Sequence, residues 1–160
     1  MSKKKIKHIL VSAYYTVINP FRTLYCFVFR PPVRGAKAVI FCEDKVLLAR
    51  ISYGHKRWTF PGGGVGKNES FRDGALREMK EEVGIEADSA EFFYEYHGTW
   101  QYCAHTVQCF AVHVSKPDFV IDEQEIVEAA WFHPDNLPEN IRPSVKEVLL
   151  KYSDWAKNKS

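Results

Sequence analysis

The stretch PGGGVGKNESFRDGALREMKEEVGI, residues 61–85, decides how this chain folds and where its chemistry sits. Its second half reads as a helix from about Phe71 to Val83, closed by Gly84. At about 100° per residue, with Glu78 set at zero, Glu81 falls near −60° and Glu82 near +40°. Three carboxylates therefore share one quadrant of the helix. Leu76, Met79 and Val83 fall together on another face, suited to docking on a sheet. Carboxylates this close repel one another unless something neutralises them. A hard divalent cation with oxygen ligands, Mg²⁺ or Mn²⁺, would do so. Arg77 stands beside the cluster and can pair with one of these acids or with Glu69. Taken alone, the run would read as a solvated acidic helix face.

The loop before the helix shifts that balance. Pro61-Gly62-Gly63-Gly64-Val65-Gly66 offers backbone that can approach a metal or a phosphate closely. A carbonyl from it would add an oxygen ligand, and its N–H groups and the helix start can face an anion. Outward from the loop the pattern is mixed α/β. Lys37–Phe41 and Val46–Ala49 read as strands joined by a hairpin at Glu43-Asp44. Trp58-Thr59-Phe60 is a short strand stopped by Pro61. Further strands are expected near 91–97, 104–114 and 129–132. Ser144 and Glu147 have capping-box spacing at the start of a last helix, whose apolar stripe is Val145, Val148, Leu149 and Tyr152.

Length and composition fit one domain: 160 residues, 46% hydrophobic and 26% charged, are enough for a core without disulfides. Cys26, Cys42, Cys103 and Cys109 form no CxxC pair, and free thiols in a reducing, cytoplasmic setting are expected. The net charge of +2 hides an asymmetry, because Lys3, Lys4, Lys5 and Lys7 place +4 in the first eight residues. The rest of the chain is slightly acidic, which excludes a DNA-binding footprint. Residues 1–32 read as a helical extension, with stripes at Ile6, Ile9, Leu10, Ala13 and Val17 and at Phe21, Leu24, Tyr25 and Val28. Asn19, Pro20 and Arg22 interrupt the roughly 20 apolar residues that a membrane span needs, and no small-residue cleavage site follows. Packing on the domain or on a second copy, as a homodimer, is the expected use. Lying on an anionic membrane surface through residues 1–30 is the alternative.

Gly63, Glu69, Arg77, Glu78, Glu81, Glu82 and Gly84, with apolar Met79 and Ile85, have the spacing of a 23-residue signature. The stretch resembles the Nudix hydrolase superfamily in every specified position. The likeness covers residues 33–157, including the hairpin at 37–50, Trp58 to Gly64, Trp131-Phe132 and Leu137-Pro138. It divides the chain into the extension 1–32 and a Nudix-like domain 33–160. The resemblance implies an α/β/α sandwich around a mixed β-sheet. It also implies metal-dependent hydrolysis of a nucleoside diphosphate linked to a further group. Carried over, Glu78 and Glu82 would be principal metal ligands, Glu81 a ligand or general base, and the Gly62 carbonyl a further ligand. Glu69 and Arg77 would form the pair that positions the helix. Two positions depart from the usual pattern: Gly66-Lys67-Asn68 leads into the box, and Gly74 stands where alanine is common, at a helix cost of about 1 kcal/mol.

Metal ions lower the pKa of bound water and neutralise the phosphate oxygens, and a nearby carboxylate accepts the proton. Glu81, Glu125 and Glu128 are the candidates for that base. Tyr102, 17 residues beyond Ile85, and Arg50 are the expected substrate contacts; the tyrosine spacing resembles the dinucleoside-polyphosphate subgroup. A non-catalytic nucleotide sensor of the same fold is the competing class. A membrane-surface enzyme acting on a lipid-linked diphosphate is the third reading.

Overall fold

A computed structural model describes residues 31–51, 56–100 and 102–159, with Phe21 and Val28 besides. The expected N-terminal helices otherwise lie outside the described residues; Phe21 and Val28 are helical and exposed. The chain divides into two compact units, residues 1–33 with 97–106, and residues 34–96 with 107–160. Among the described residues no helix is long and apolar enough to cross a membrane.

The elements are β1 (Val33–Cys42), β2 (Lys45–Ile51), β3 (Trp58–Thr59), α1 (Phe71–Val83), β4 (Glu91–Trp100), β5 (Cys103–His113), β6 (Ile126–Phe132) and α2 (Pro143–Lys159). The strands run in the order β3-β2-β1-β5-β4, and β6 pairs with β2. The expected hairpin forms at Glu43-Asp44, with Phe41 opposite Val46, Cys42 opposite Lys45 and Glu43 at φ 54°.

Strand residues alternate between two cores, one on each face of the sheet. Ala36, Ala38, Ile40, Leu47, Ala49, Phe110 and Val112 pack with Ala75, Met79 and Val83 of α1. Val39, Phe41, Val46, Leu48, Cys109 and Ala111 pack with Val145 and Val148 of α2. A sheet covered by helices on both faces must read as near-continuous apolar runs, as Ala36–Cys42 and Val46–Ala49 do. The architecture is the expected α/β/α sandwich.

Helix α1 begins where Ser70 caps it: the Asp73 N–H donates to Ser70 Oγ at 3.0 Å. It ends at Gly84, in the left-handed region at φ 65°, whose N–H donates to Lys80 O. The last carbonyls are not left to solvent. Val120 N–H donates to Val83 O and Asp122 N–H to Glu82 O, both at 3.0 Å. That docking brings the segment before β6, with Glu125, to the end of the helix that carries the acids.

Three local readings are corrected. Ser144 is the second residue of α2, not its cap, and Glu147 accepts from Tyr94 Oη at 2.6 Å instead of closing a capping box. Gly74 is no idle helix weakener, because a Cβ there would lie 2.9 Å from Val65 Cγ2 and 3.3 Å from Glu69 Oε2. Its missing side chain lets α1 approach the preceding loop. Cys42 and Cys109 are free and buried as expected, but Cys103 is disulfide-bonded, so the expectation of four free thiols fails there.

Candidate active site

The glycine loop is stitched along β1. Ala36 N–H donates to Gly63 O at 3.0 Å, Ala38 N–H to Pro61 O at 2.9 Å, and Val65 N–H to Arg34 O at 3.0 Å. Between these anchors Gly62 adopts φ +135°, a conformation that L side chains rarely adopt. Its N–H donates to Glu82 Oε2 at 2.8 Å and its carbonyl accepts from Lys37 Nζ at 2.7 Å. At the next residue a Cβ would lie 2.7 Å from the Glu78 carboxyl atoms, so Glu78 rests directly on the Gly63 backbone.

Arg77 gathers the remaining acids. Its Nε and Nη2 donate to the two oxygens of Glu69 at 2.8 and 3.1 Å. Nη1 donates to Glu78 Oε1 at 2.9 Å and to Glu81 Oε2 at 3.0 Å, and Nη2 to Gly64 O at 2.9 Å. This forked geometry suits a guanidinium and no other side chain. One residue thus ties the loop, Glu69 and the outward face of α1 together. The three helix acids, equivalent by angle, separate in their surroundings. Glu82 is 5% exposed, whereas the Glu81 side chain is 59% exposed.

The charges perturb one another accordingly. Burial pushes the Glu82 carboxyl up to about 7, with Glu78 and Glu125 adding to the rise and Lys37 and the Gly62 N–H opposing it. Burial first, then Glu78, Asp122 and Glu81, raises Glu125 as well. Glu69 moves the other way, to about 2, because Arg77 and the Gly66 N–H hydrogen-bond its ionised form. A depressed carboxylate stabilises the fold above its unfolded value and loses that contribution as pH falls through the folded one. The stability gap between wild type and Glu69→Gln is therefore expected to be constant above about pH 4.5 and to shrink as pH falls toward 2. Urea titrations at pH 7, 4.5, 3 and 2 would show it, and a gap that stays flat to pH 2 would refute the pairing.

The other expected residues are placed differently. Arg50 donates to Glu128 Oε2 at 2.6 Å and lies over the Trp58 ring at 5.6 Å, so both it and Glu128 are engaged with protein. Its Nε is buried and has no hydrogen-bond partner among the described residues. Tyr102 occupies the turn between β4 and β5, half exposed and at φ 65°, within the unit formed by residues 97–106 and the chain before Arg34. Lys37 and Arg34 were not among the expected site residues. Arg34 braces the loop through Gly66 O at 2.9 Å and Glu69 O at 3.1 Å. The signal for Lys37 was a single cation inside the apolar run AKAVIFC.

A family model described as NUDIX domain matches residues 31–152. The chain belongs to this family. Among curated relatives, an RNA pyrophosphohydrolase of Campylobacter jejuni is 43% identical over 54 residues, 34% of this chain and 33% of that protein. The NAD-capped RNA hydrolase NudC of Salmonella heidelberg is 30% identical over 97 residues, 60% of this chain and 37% of that protein. The chain thus spans about a third of the length of the curated relatives it matches. Among solved structures, a MutT NUDIX hydrolase from Burkholderia pseudomallei is 21% identical at a TM-score of 0.69, covering 75% of this chain and 97% of that one. A C. elegans Ap4A hydrolase in a binary complex is 21% identical at 0.68, covering 79% and 98%. At that identity both likenesses concern the fold alone.

The NUDIX helix and its loop supply donors that fit a hard divalent ion in kind: carboxylate oxygens of Glu78, Glu81 and Glu82, and the Gly62 carbonyl. Glu78 is seated against the Gly63 backbone, and burial raises the Glu82 carboxyl beside it. The acids nevertheless do not converge. Among the described residues no three acidic, histidine or cysteine side chains come together as an ion would require. Glu78 and Glu81 share Arg77 Nη1, whereas Glu82 is held by the Gly62 N–H.

Proposed function

We propose that this chain is a metal-dependent hydrolase that cleaves a phosphoanhydride bond in a nucleoside diphosphate linked to another group. The observation that carries the reading is the paired arrangement of Glu82 on the Gly62 N–H and Glu78 on the Gly63 backbone, flanked by Arg77. Glu78 and Glu82, with Glu81 and the Gly62 carbonyl, would hold Mg²⁺ or Mn²⁺. When bound, the ion supplies charge neutralisation at the phosphate oxygens and a lowered pKa for water. Arg77 and Glu69 orient the ligating face of the helix and keep it against the loop. Glu81 or Glu125 accepts the proton of the attacking water. Both are exposed; Glu125 lies in the field of Glu78 and Glu81, and Glu81 shares Arg77 with Glu78, whereas Glu128 is paired with Arg50.

The names of the partial relatives, an RNA pyrophosphohydrolase and an NAD-capped RNA hydrolase, place RNA-linked diphosphates beside dinucleoside polyphosphates and nucleotide sugars as substrates to try. The deciding experiment is a panel of these compounds incubated with the full chain and Mg²⁺ or Mn²⁺, reading released phosphate or nucleotide. Turnover of at least one compound, abolished by chelator, is the expected result. No turnover of any, with nucleotide still bound, would replace the enzyme by a non-catalytic sensor.

A further inference from the structure

Lys37 is half-buried on β1, and its ammonium makes no ion pair with a carboxylate among the described residues. Instead Nζ donates to two backbone carbonyls, Phe60 O at 3.1 Å and Gly62 O at 2.7 Å. Removing an ammonium from water is unfavourable unless nearby negative charge compensates. Gly62, whose carbonyl it holds, donates its own N–H to Glu82 Oε2 at 2.8 Å, and Glu78 rests on the adjoining Gly63 backbone. The ammonium therefore sits in the field of the same acids, and on the same carbonyl, that the proposed function gives to the divalent ion.

We infer that Lys37 is the internal counter-cation of this metal site, holding the Gly62 carbonyl and offsetting Glu82 and Glu78 until a divalent ion takes over that oxygen. The inference rests on the metal-dependent reading. It makes Lys37 a positioning residue, acting through the Gly62 loop. It also explains why the helix acids do not converge: their neutralisation is shared between Arg77 on one side and Lys37 on the other. A divalent ion entering beside a fixed ammonium meets repulsion, so the lysine weakens metal binding while it orders the loop.

The test is a titration of the full, metal-free chain with Mn²⁺ at low salt and without substrate, following free Mn²⁺ by electron paramagnetic resonance. Lys37→Gln keeps an N–H donor for the carbonyls but removes the charge; Lys37→Met removes both; Lys37→Arg keeps the charge. The two neutral variants are expected to bind Mn²⁺ about tenfold more tightly, the scale of a unit charge acting on a divalent ion a few ångströms away in a water-like medium. The arginine variant should stay close to wild type. A merely structural lysine would lower the melting temperature without tightening the metal. Equal or weaker binding by folded Lys37→Gln overturns the inference and leaves the metal-dependent reading standing, whereas no Mn²⁺ binding by wild type overturns both. Independently of any variant, adding Mg²⁺ to the wild-type chain with ¹⁵N-labelled lysine should shift the Lys37 Nζ resonance. A resonance that does not move at saturation overturns the inference as well.

Discussion

Glu82→Gln is expected to lower turnover of the best substrate by at least ~100-fold while leaving the fold in place, the scale of losing a group that sets a catalytic metal. Glutamine has the shape of glutamate, and its side-chain oxygen can still accept the Gly62 N–H that Glu82 Oε2 accepts at 2.8 Å. The loop anchor therefore survives the change. What disappears is the capacity to carry a negative charge at a position 5% exposed, where no solvent ion can replace it. Glu81→Gln provides the contrast. Its side chain is 59% exposed and tied to Arg77, so its loss acts on an outer, hydrated ligand or on the proton acceptor. Circular dichroism establishes folding, and initial rates with Mg²⁺ and Mn²⁺ establish the effect. Near-normal turnover in folded Glu82→Gln, or full activity of the wild type in excess chelator, would sink the metal-dependent mechanism.

Gly62→Ala is expected to destabilise the protein by at least ~4 kcal/mol, placing it among the rare severe substitutions, and in practice to yield little folded material. The added methyl would lie 2.2 Å from Ala36 O, 2.9 Å from Lys37 Cα and 3.1 Å from Ala36 C. All three are backbone atoms of β1, and no rotamer change can move them. At φ +135° the alanine backbone would be strained even in open space. Relief requires the loop to leave β1, which breaks the bonds from Ala36 N–H to Gly63 O and from Ala38 N–H to Pro61 O. Gly64→Ala is the control two residues on, since nothing lies within 4 Å of a Cβ there. It should change stability by less than ~0.5 kcal/mol, as for an ordinary exposed substitution. Urea unfolding of both variants decides the matter, and a Gly62→Ala protein as stable as Gly64→Ala would show the loop backbone to be different from that described.

What the sequence by itself determined is what depends on neighbours along the chain. Helix α1 was legible from about Phe71 to Val83, because its apolar residues recur at helical spacing and Gly84 can take the left-handed conformation that stops it. The Glu43-Asp44 hairpin and the core stripe of α2 were legible for the same local reason. The spacing of Gly63, Glu69 and Arg77 to Gly84 was enough to name the family. The tertiary structure alone decided which acid goes inside. Glu81 and Glu82 lie on the same side of α1 by angle, and only the docking of the helix on the glycine loop buries one and leaves the other in water. The same contact explains Gly74, whose missing Cβ admits Val65 and reverses its reading as a simple loss. Residues 34–37 and 60–66 are more than twenty positions apart, so no periodicity could announce that Lys37 would reach Phe60 O and Gly62 O, or that Arg34 would brace Gly66 and Glu69. Helical and strand periods report which face a residue takes on its own element; what that face meets is set by the packing of elements far apart in the chain.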